Sequence, residues 1–203
     1  LTEAEDHTHG MDKYKWMHKT TGKPYPYLNI GICDFGGHAC YNITTVFFWN
    51  ESSLFLIVFN LDTYDPNKHR QTVGQWMEML TEAIPNAVIL LVGTHKDKCK
   101  DAEAKKILKE VLDRCNKEEN IKQEQIKRNI NDLAHHTSGQ KHDKLQEMLR
   151  QRPHIIQQTF AVSNMTFEGI EEAAKAMLSI LEDETLFPTK EIPVTWHLSL
   201  YGK

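Results

Sequence analysis

The stretch AVILLVGTHKD, residues 87–97, decides how the chain is read. Its first seven residues are an unbroken apolar run rich in Val, Ile and Leu, the signature of a strand covered on both faces of a parallel sheet. The run then stops at a polar tetrad, Thr94-His95-Lys96-Asp97. Upstream, LFLIVFNL at 54–61 reads the same way. Between the two strands, His69 to Ala83 places Val73, Trp76, Met77 and Leu80 at helical spacing, and Pro85-Asn86 ends that helix. One strand, helix, strand unit is therefore expected.

Working outward, Asp101 is positioned as an N-cap, and the pairs Ile107/Val111 and Leu108/Leu112 predict a long amphipathic helix. TFAVS at 159–163 reads as a further short strand. Phe167 to Leu181 reads as a closing helix with Ile170, Ala174, Met177, Leu178 and Leu181 inward. Near the front, residues 10–17 and 27–34 flank the turn-rich TTGKPYP and predict an antiparallel hairpin at a sheet edge. This alternation implies an α/β, doubly wound, mostly parallel sheet, whose ligands bind where the carboxyl ends of strands meet the loops.

Bulk composition narrows the function. The 203 residues are 40% hydrophobic and 26% charged with net charge −4, as in an ordinary globular domain, and Lys and Arg are interspersed with acids. A nucleic-acid surface is not expected. The longest apolar runs fall far short of the roughly 20 residues of a membrane helix, so no membrane span is expected. Cys33, Cys40, Cys99 and Cys115 show no CxxC spacing and read as reduced thiols in a cytoplasmic protein. Residues 101–154 hold 12 Lys and Arg against 10 Asp and Glu, a solvated helix surface. His135, His136 and His142 lack the acids or cysteines that would complete a metal set, and read as a helix connection around Ser138-Gly139. Phe47, Phe48 and Trp49 read as core.

Three polar tips follow predicted strands. At Asp34-Phe35-Gly36-Gly37 a carboxylate suited to Mg2+ precedes glycines whose N–H groups can approach a phosphate, and a tight turn is the plain alternative. The letters DFG also occur in kinases, but no HRD precedes them and no APE follows. At the second tip Asp97 is placed to accept two N–H donors from a guanine edge, and the plain alternative is a cap for the helix near Asp101. Ser163-Asn164 at the third tip adds donors to the same base or makes a simple turn.

Taken in order, HTHGMDKYKW, LNIGICDFGGH, ILLVGTHKD, FAVSNMTFEGI and LFPTKEIPVTW resemble the Roc domain of the Roco proteins, a Ras-like P-loop GTPase fold. The resemblance covers nearly the whole chain. It implies a GTP/GDP-binding signalling switch that hydrolyses GTP with Mg2+. By resemblance, Thr8 lies in switch I near the metal and the γ-phosphate, Asp34 and Gly37 match DxxG, and Thr94, Asp97, Ser163 and Asn164 match the base-reading loops. His95 stands where a Lys packs over the base, and His38 takes the position of a Gln that orients the attacking water. The resemblance further implies a Roc-like domain over 1–185, the beginning of a COR domain over 186–203, other domains of the same protein, and a homodimer.

One element of the pattern is missing. No GxxxxGK[ST] string occurs, since Thr21-Gly22-Lys23-Pro24 carries proline where Ser or Thr is needed and follows the switch I match. The expectation is an N-terminally incomplete fold, lacking its first strand and P-loop and leaving two interior sheet edges unpaired. A nucleotide-independent scaffold for protein interaction is the competing reading. The guanine reading also expects Asp34 and Asp97 to open onto one cleft.

Overall fold

The computed structural model describes residues 11–20, 22, 27–36, 46–133 and 139–188. The chain forms two compact units, Leu1–Asn50 and Glu51–Lys203. In the first, β1 (Met11–Lys19) and β2 (Tyr27–Phe35) pair antiparallel with Trp16 opposite Ile30 and Asp12 opposite Asp34, which is the expected hairpin. A 3₁₀ turn at Val46–Phe48 follows. Phe47 and Phe48 are exposed in it, the former at 82%, so the core expected of them is not formed by the described residues.

The second unit is built on β4 (Val88–Thr94), in which every residue from Val88 to Gly93 is buried. β3 (Leu54–Asn60) pairs parallel along one edge of β4 in full register, from Leu54 opposite Val88 to Asn60 opposite Thr94. Along the other edge run two short segments, β5 (His154–Ile155) and β6 (Phe160–Ala161), both parallel to it. The expected strand at 159–163 is thus reduced to two residues. The side chain of Gln157 bonds back to the Ile155 carbonyl (2.7 Å), competing locally with ladder pairing.

The expected strand, helix, strand unit is present as β3, α1 (Gln75–Ala83) and β4. Its helix does not begin as an α-helix at His69. Pro66–Lys68 is a 3₁₀ turn capped by Asp65, whose carboxylate accepts from Asn67 N, and Arg70–Gly74 is a π-helical turn. The long helix α2 runs from Asp101 to Leu133 and buries Ala104, Leu108, Val111 and Cys115, one turn after another along a single stripe. Burial pushes the Cys115 thiol up to about 12, as an apolar site disfavours the thiolate. Next come α3 (Gly139–Arg150) and α4 (Ile170–Leu181).

The two faces of β4 account for the layering. Leu90 and Val92 pack with Phe160, Val162 and Ala173, and Ile170, Ala176, Met177 and Ile180 of α4 close over them. The alternate residues Ile89 and Leu91, also fully buried, point to the opposite face, and α2 packs against the strand. On α4 the buried position is Ala173, and Ile180 joins the packing, so the inward stripe is rotated from the one read at Ala174, Leu178 and Leu181. β3 also departs from the expectation of burial on both faces: Ile57 and Phe59 are buried, but Leu56 and Val58 are exposed among the described residues.

The hairpin expected at an edge of the sheet forms a sheet of its own. β1 and β2 form one two-stranded sheet, and β3, β4, β5 and β6 form another. Among the described residues, no strand pairs with both. No described helix is long and apolar enough to cross a membrane.

His69, a residue that the sequence left unremarked, is fully buried where the π-helical turn meets α2. Its Nδ1 hydrogen-bonds the Tyr64 hydroxyl at 2.9 Å, while its Nε2 has no hydrogen-bond partner and lies 3.8 Å from Glu118 Oε2. Burial lowers its pKa; the Glu118 carboxylate opposes that shift, Arg114 adds to it, and Glu110 opposes it. With the folded pKa depressed, the stabilisation is complete above the free imidazole's value of about 6.5 and is lost as pH falls through the folded pKa. Urea unfolding of the wild type will therefore show stability dropping below about pH 6.5. In His69→Gln that part of the pH profile will be flattened, whatever the variant's absolute stability.

Candidate functional site

The Thr94 and Ser163 tips meet because β4 and β6 are neighbours in register, with Val92 opposite Phe160 and Gly93 opposite Ala161. Pairing continues past the strands: Val162 N donates to Gly93 O (2.8 Å) and Lys96 N donates to Val162 O (3.1 Å). Two segments far apart in sequence are thereby laid side by side before any side chain contributes.

Side chains then join them. Ser163 Oγ donates to Asp97 Oδ1 at 2.5 Å, and the same oxygen accepts from Met165 N (3.2 Å) and Thr166 N (3.1 Å). Ser163 is fully buried, whereas Asp97 is exposed. One carboxylate oxygen is thus fixed by a buried hydroxyl and the group remains open to solvent. The Ser163 hydrogen bond is the main cause that holds the Asp97 carboxyl below its ordinary range, outweighing desolvation, with the Asp97 backbone, His95 and Lys98 assisting. The plain capping alternative for THKD is not what this side chain does: its bond crosses to the other loop.

Around this pair, Thr94 Oγ1 bonds the Phe59 carbonyl (3.3 Å) and lies 3.0 Å from His95 Nδ1. That contact orients the imidazole and leaves Nε2 for another group. His95 adopts φ 62°, a left-handed conformation unusual for a residue with a β-carbon, and the one other described non-glycine residue with positive φ is Phe167, in the neighbouring loop. Backbone strain of this kind clusters at binding sites. Asn164 is exposed beside Ser163.

Two glycines hold the loops in place. A β-carbon at Gly93 would lie 2.6 Å from Leu61 Cδ2, and one at Gly169, which has φ 76°, would lie 2.1 Å from the Ala161 carbonyl oxygen. Neither position tolerates a side chain without displacing its neighbour. Sequence reading also passed over Lys96 and Glu168, whose Nζ and Oε1 are 2.6 Å apart; Asp101 Oδ1 is a second partner of the same ammonium at 3.5 Å.

The structure thus brings together Thr94, His95, Asp97, Ser163 and Asn164. Asp34 is in β2, in the other compact unit, exposed and opposite Asp12. Thr8, Gly37 and His38 lie outside the described residues, as do His135, His136 and residues 189–203 of the expected COR segment. No group of three metal-ligating side chains occurs among the described residues.

The second unit is thus an α/β module with a parallel sheet, an arrangement consistent with a Ras-like fold, and it sets an acid and a serine at adjacent carboxyl-terminal tips. The family model for Roc, described as the Ras of Complex domain of DAPkinase, matches residues 1–97. The match to that model is confined to the segment from the amino terminus through Asp97. Malignant fibrous histiocytoma-amplified sequence 1 homolog of Xenopus tropicalis is 23% identical over 98% of this chain and 22% of its own length. The human protein of that name is 34% identical over 37% of this chain and 7% of its own length. Probable serine/threonine-protein kinase roco5 of Dictyostelium discoideum is 30% identical over 44% of this chain and 3% of its own length. The chain therefore spans at most about a fifth of the relatives it matches.

The depressed Asp97 pKa has a direct test. The free carboxyl titrates near ~3.9, so the Ser163 bond stabilises the fold above that pH and the contribution disappears as pH falls through the lower folded value. In Ser163→Ala the Asp97 carboxyl, followed by carbon NMR, will titrate at higher pH than in the wild type. An unchanged midpoint would mean that the serine does not set it.

Proposed function

We propose that this chain carries the base-reading half of a guanine-nucleotide site in a GTP/GDP-binding signalling switch. The observation that carries the proposal is the Asp97 carboxylate, pinned by buried Ser163 and open to solvent. Guanine presents N1–H and the 2-amino group side by side, and a charged carboxylate accepts such a pair bidentately. Adenine has no such pair. The low pKa keeps Asp97 an acceptor throughout the physiological range. Thr94 braces the strand tip, the His95 ring packs over the purine, and Asn164 offers a further polar contact.

The phosphate side of the reading rests on the Roc match over residues 1–97. By the same match, Asp34, exposed in β2 opposite Asp12, and Thr8 would hold the metal ion. Mg2+, when bound, would neutralise charge on the phosphate oxygens. Gly37 would donate its N–H to the γ-phosphate, and His38 would hold the attacking water. Loss of the γ-phosphate would release the segments around Thr8 and Asp34 to Tyr41, which is the switch. In the same reading residues 1–185 form the Roc-like domain and 186–203 open a COR domain, within a cytoplasmic multidomain protein that pairs as a homodimer.

A second reading is a nucleotide-independent scaffold for protein interaction. Fluorescent GDP titration separates the two, because saturable binding competed by GTP and not by ATP excludes the scaffold. Within the first reading, Asp97→Asn will weaken GDP binding by roughly 100-fold or more and transfer preference to xanthosine diphosphate, whose 2-oxo group accepts where guanine donates. A variant that keeps the guanine preference would remove Asp97 from the role.

A further inference from the structure

Bonds between the two loops come in two kinds. The Ser163–Asp97 bond lies at the base-reading position, and a second connection lies beside it. Lys96 immediately precedes the reader, and its side chain reaches Glu168 Oε1 at 2.6 Å across a sequence separation of 72 residues. Glu168 serves the other loop as well, because its backbone carbonyl accepts Ser163 N at 2.9 Å. One residue thus holds the ammonium of the residue that precedes Asp97 and the backbone of the serine that grips Asp97. Lys96 completes the arrangement by donating its own N–H to Val162 O, next to Ser163 (3.1 Å). The result is a closed circuit: Lys96 to Glu168, Glu168 to Ser163, Ser163 to Asp97, and Asp97 back to Lys96 along the chain.

We propose that Lys96 and Glu168 form an electrostatic clasp that fixes the spacing of the two base-reading loops, making both of them positioning residues for guanine selectivity. The inference rests on the assignment of Asp97 as the base reader. Neither side chain touches the base in this account; both act through Asp97 and Ser163. Energetics separates this role from simple stabilisation. Glu168 is half exposed, and ion pairs open to solvent contribute little to folding. Bidentate recognition, by contrast, depends steeply on the placement of the acceptor, where a shift on the order of 1 Å has a large effect. Loss of the clasp should therefore leave the fold nearly unchanged and blunt the recognition of the base. Asp101, 3.5 Å from the same ammonium, holds Lys96 from the helix side, so removal of Glu168 alone should have a smaller effect than removal of the lysine charge.

The test compares wild type, Lys96→Met, Glu168→Gln and Lys96→Arg, the last of which keeps a cation within reach of Glu168. Affinities for GDP and for inosine diphosphate, which lacks the 2-amino group, are measured at low and high salt. The expected result is that the GDP preference over inosine diphosphate falls about fivefold to tenfold in Lys96→Met, less in Glu168→Gln, and is retained in Lys96→Arg, with melting temperatures little altered. High salt should erode the wild-type preference toward that of Lys96→Met. Equal preference in all four proteins would overturn the clasp. Amide exchange of Met165 and Thr166, whose N–H groups rest on Ser163 Oγ, gives a readout without nucleotide: it should quicken in Lys96→Met and not in Lys96→Arg. If wild type shows no guanine preference, the base-reading assignment fails, and the exchange rates still decide whether the clasp orders the loops. Unchanged exchange in Lys96→Met would overturn it.

Discussion

Everything in the larger unit depends on β4 being paired along both edges and buried on both faces. A parallel strand in that position has no solvent to satisfy its backbone, so its neighbours must be in exact register. β3 supplies seven paired residues on one side, and β5 with β6 supply the other. The register against β6 has a consequence at the carboxyl end, where the ladder runs out and the next groups in line are Lys96 N and Val162 O. The meeting of Asp97 with Ser163 is thus an extension of sheet pairing into side-chain chemistry. Burial drives the assembly; the polar contact takes the position that burial gives it.

The strength of that apolar signal explains what was legible in the sequence. AVILLVG could be read as a doubly covered strand because all its residues point into one of two cores, and the structure buries them. The hairpin at 11–35 and the long helix from Asp101 were legible for the same reason, each having a clear period or turn signal. Features that depend on particular neighbours were not. LFLIVFNL looks as apolar as AVILLVG, yet Leu56 and Val58 are exposed, because an apolar run records composition and not which elements arrive to cover it. The π-helical turn at Arg70–Gly74 is invisible to a 3.6-residue period, as is the burial of the adjacent His69 against Tyr64.

The candidate site divides along the same line. Thr94, Asp97 and Ser163 were found because they sit at strand ends in a familiar order. The adjacent His95 was noticed only as a substitution within that order, and its left-handed backbone could not be read from the residue type. Lys96 and Glu168 left no signal at all, because a lysine among lysines and a glutamate before a glycine look like ordinary surface. Their pairing is a fact of the fold, brought about by the sheet that joins positions 72 residues apart.

The glycines at 93 and 169 bracket this arrangement, one just before the first loop and one just after the second. They exclude a side chain for unrelated reasons, a packed leucine at the first and a carbonyl oxygen at the second. Every missense change to a glycine codon adds at least one carbon. Each of these two codons is therefore closed to substitution unless a neighbour moves, Leu61 at the first and the Ala161 backbone at the second, and the chain carries no side chain at either end of the paired loops.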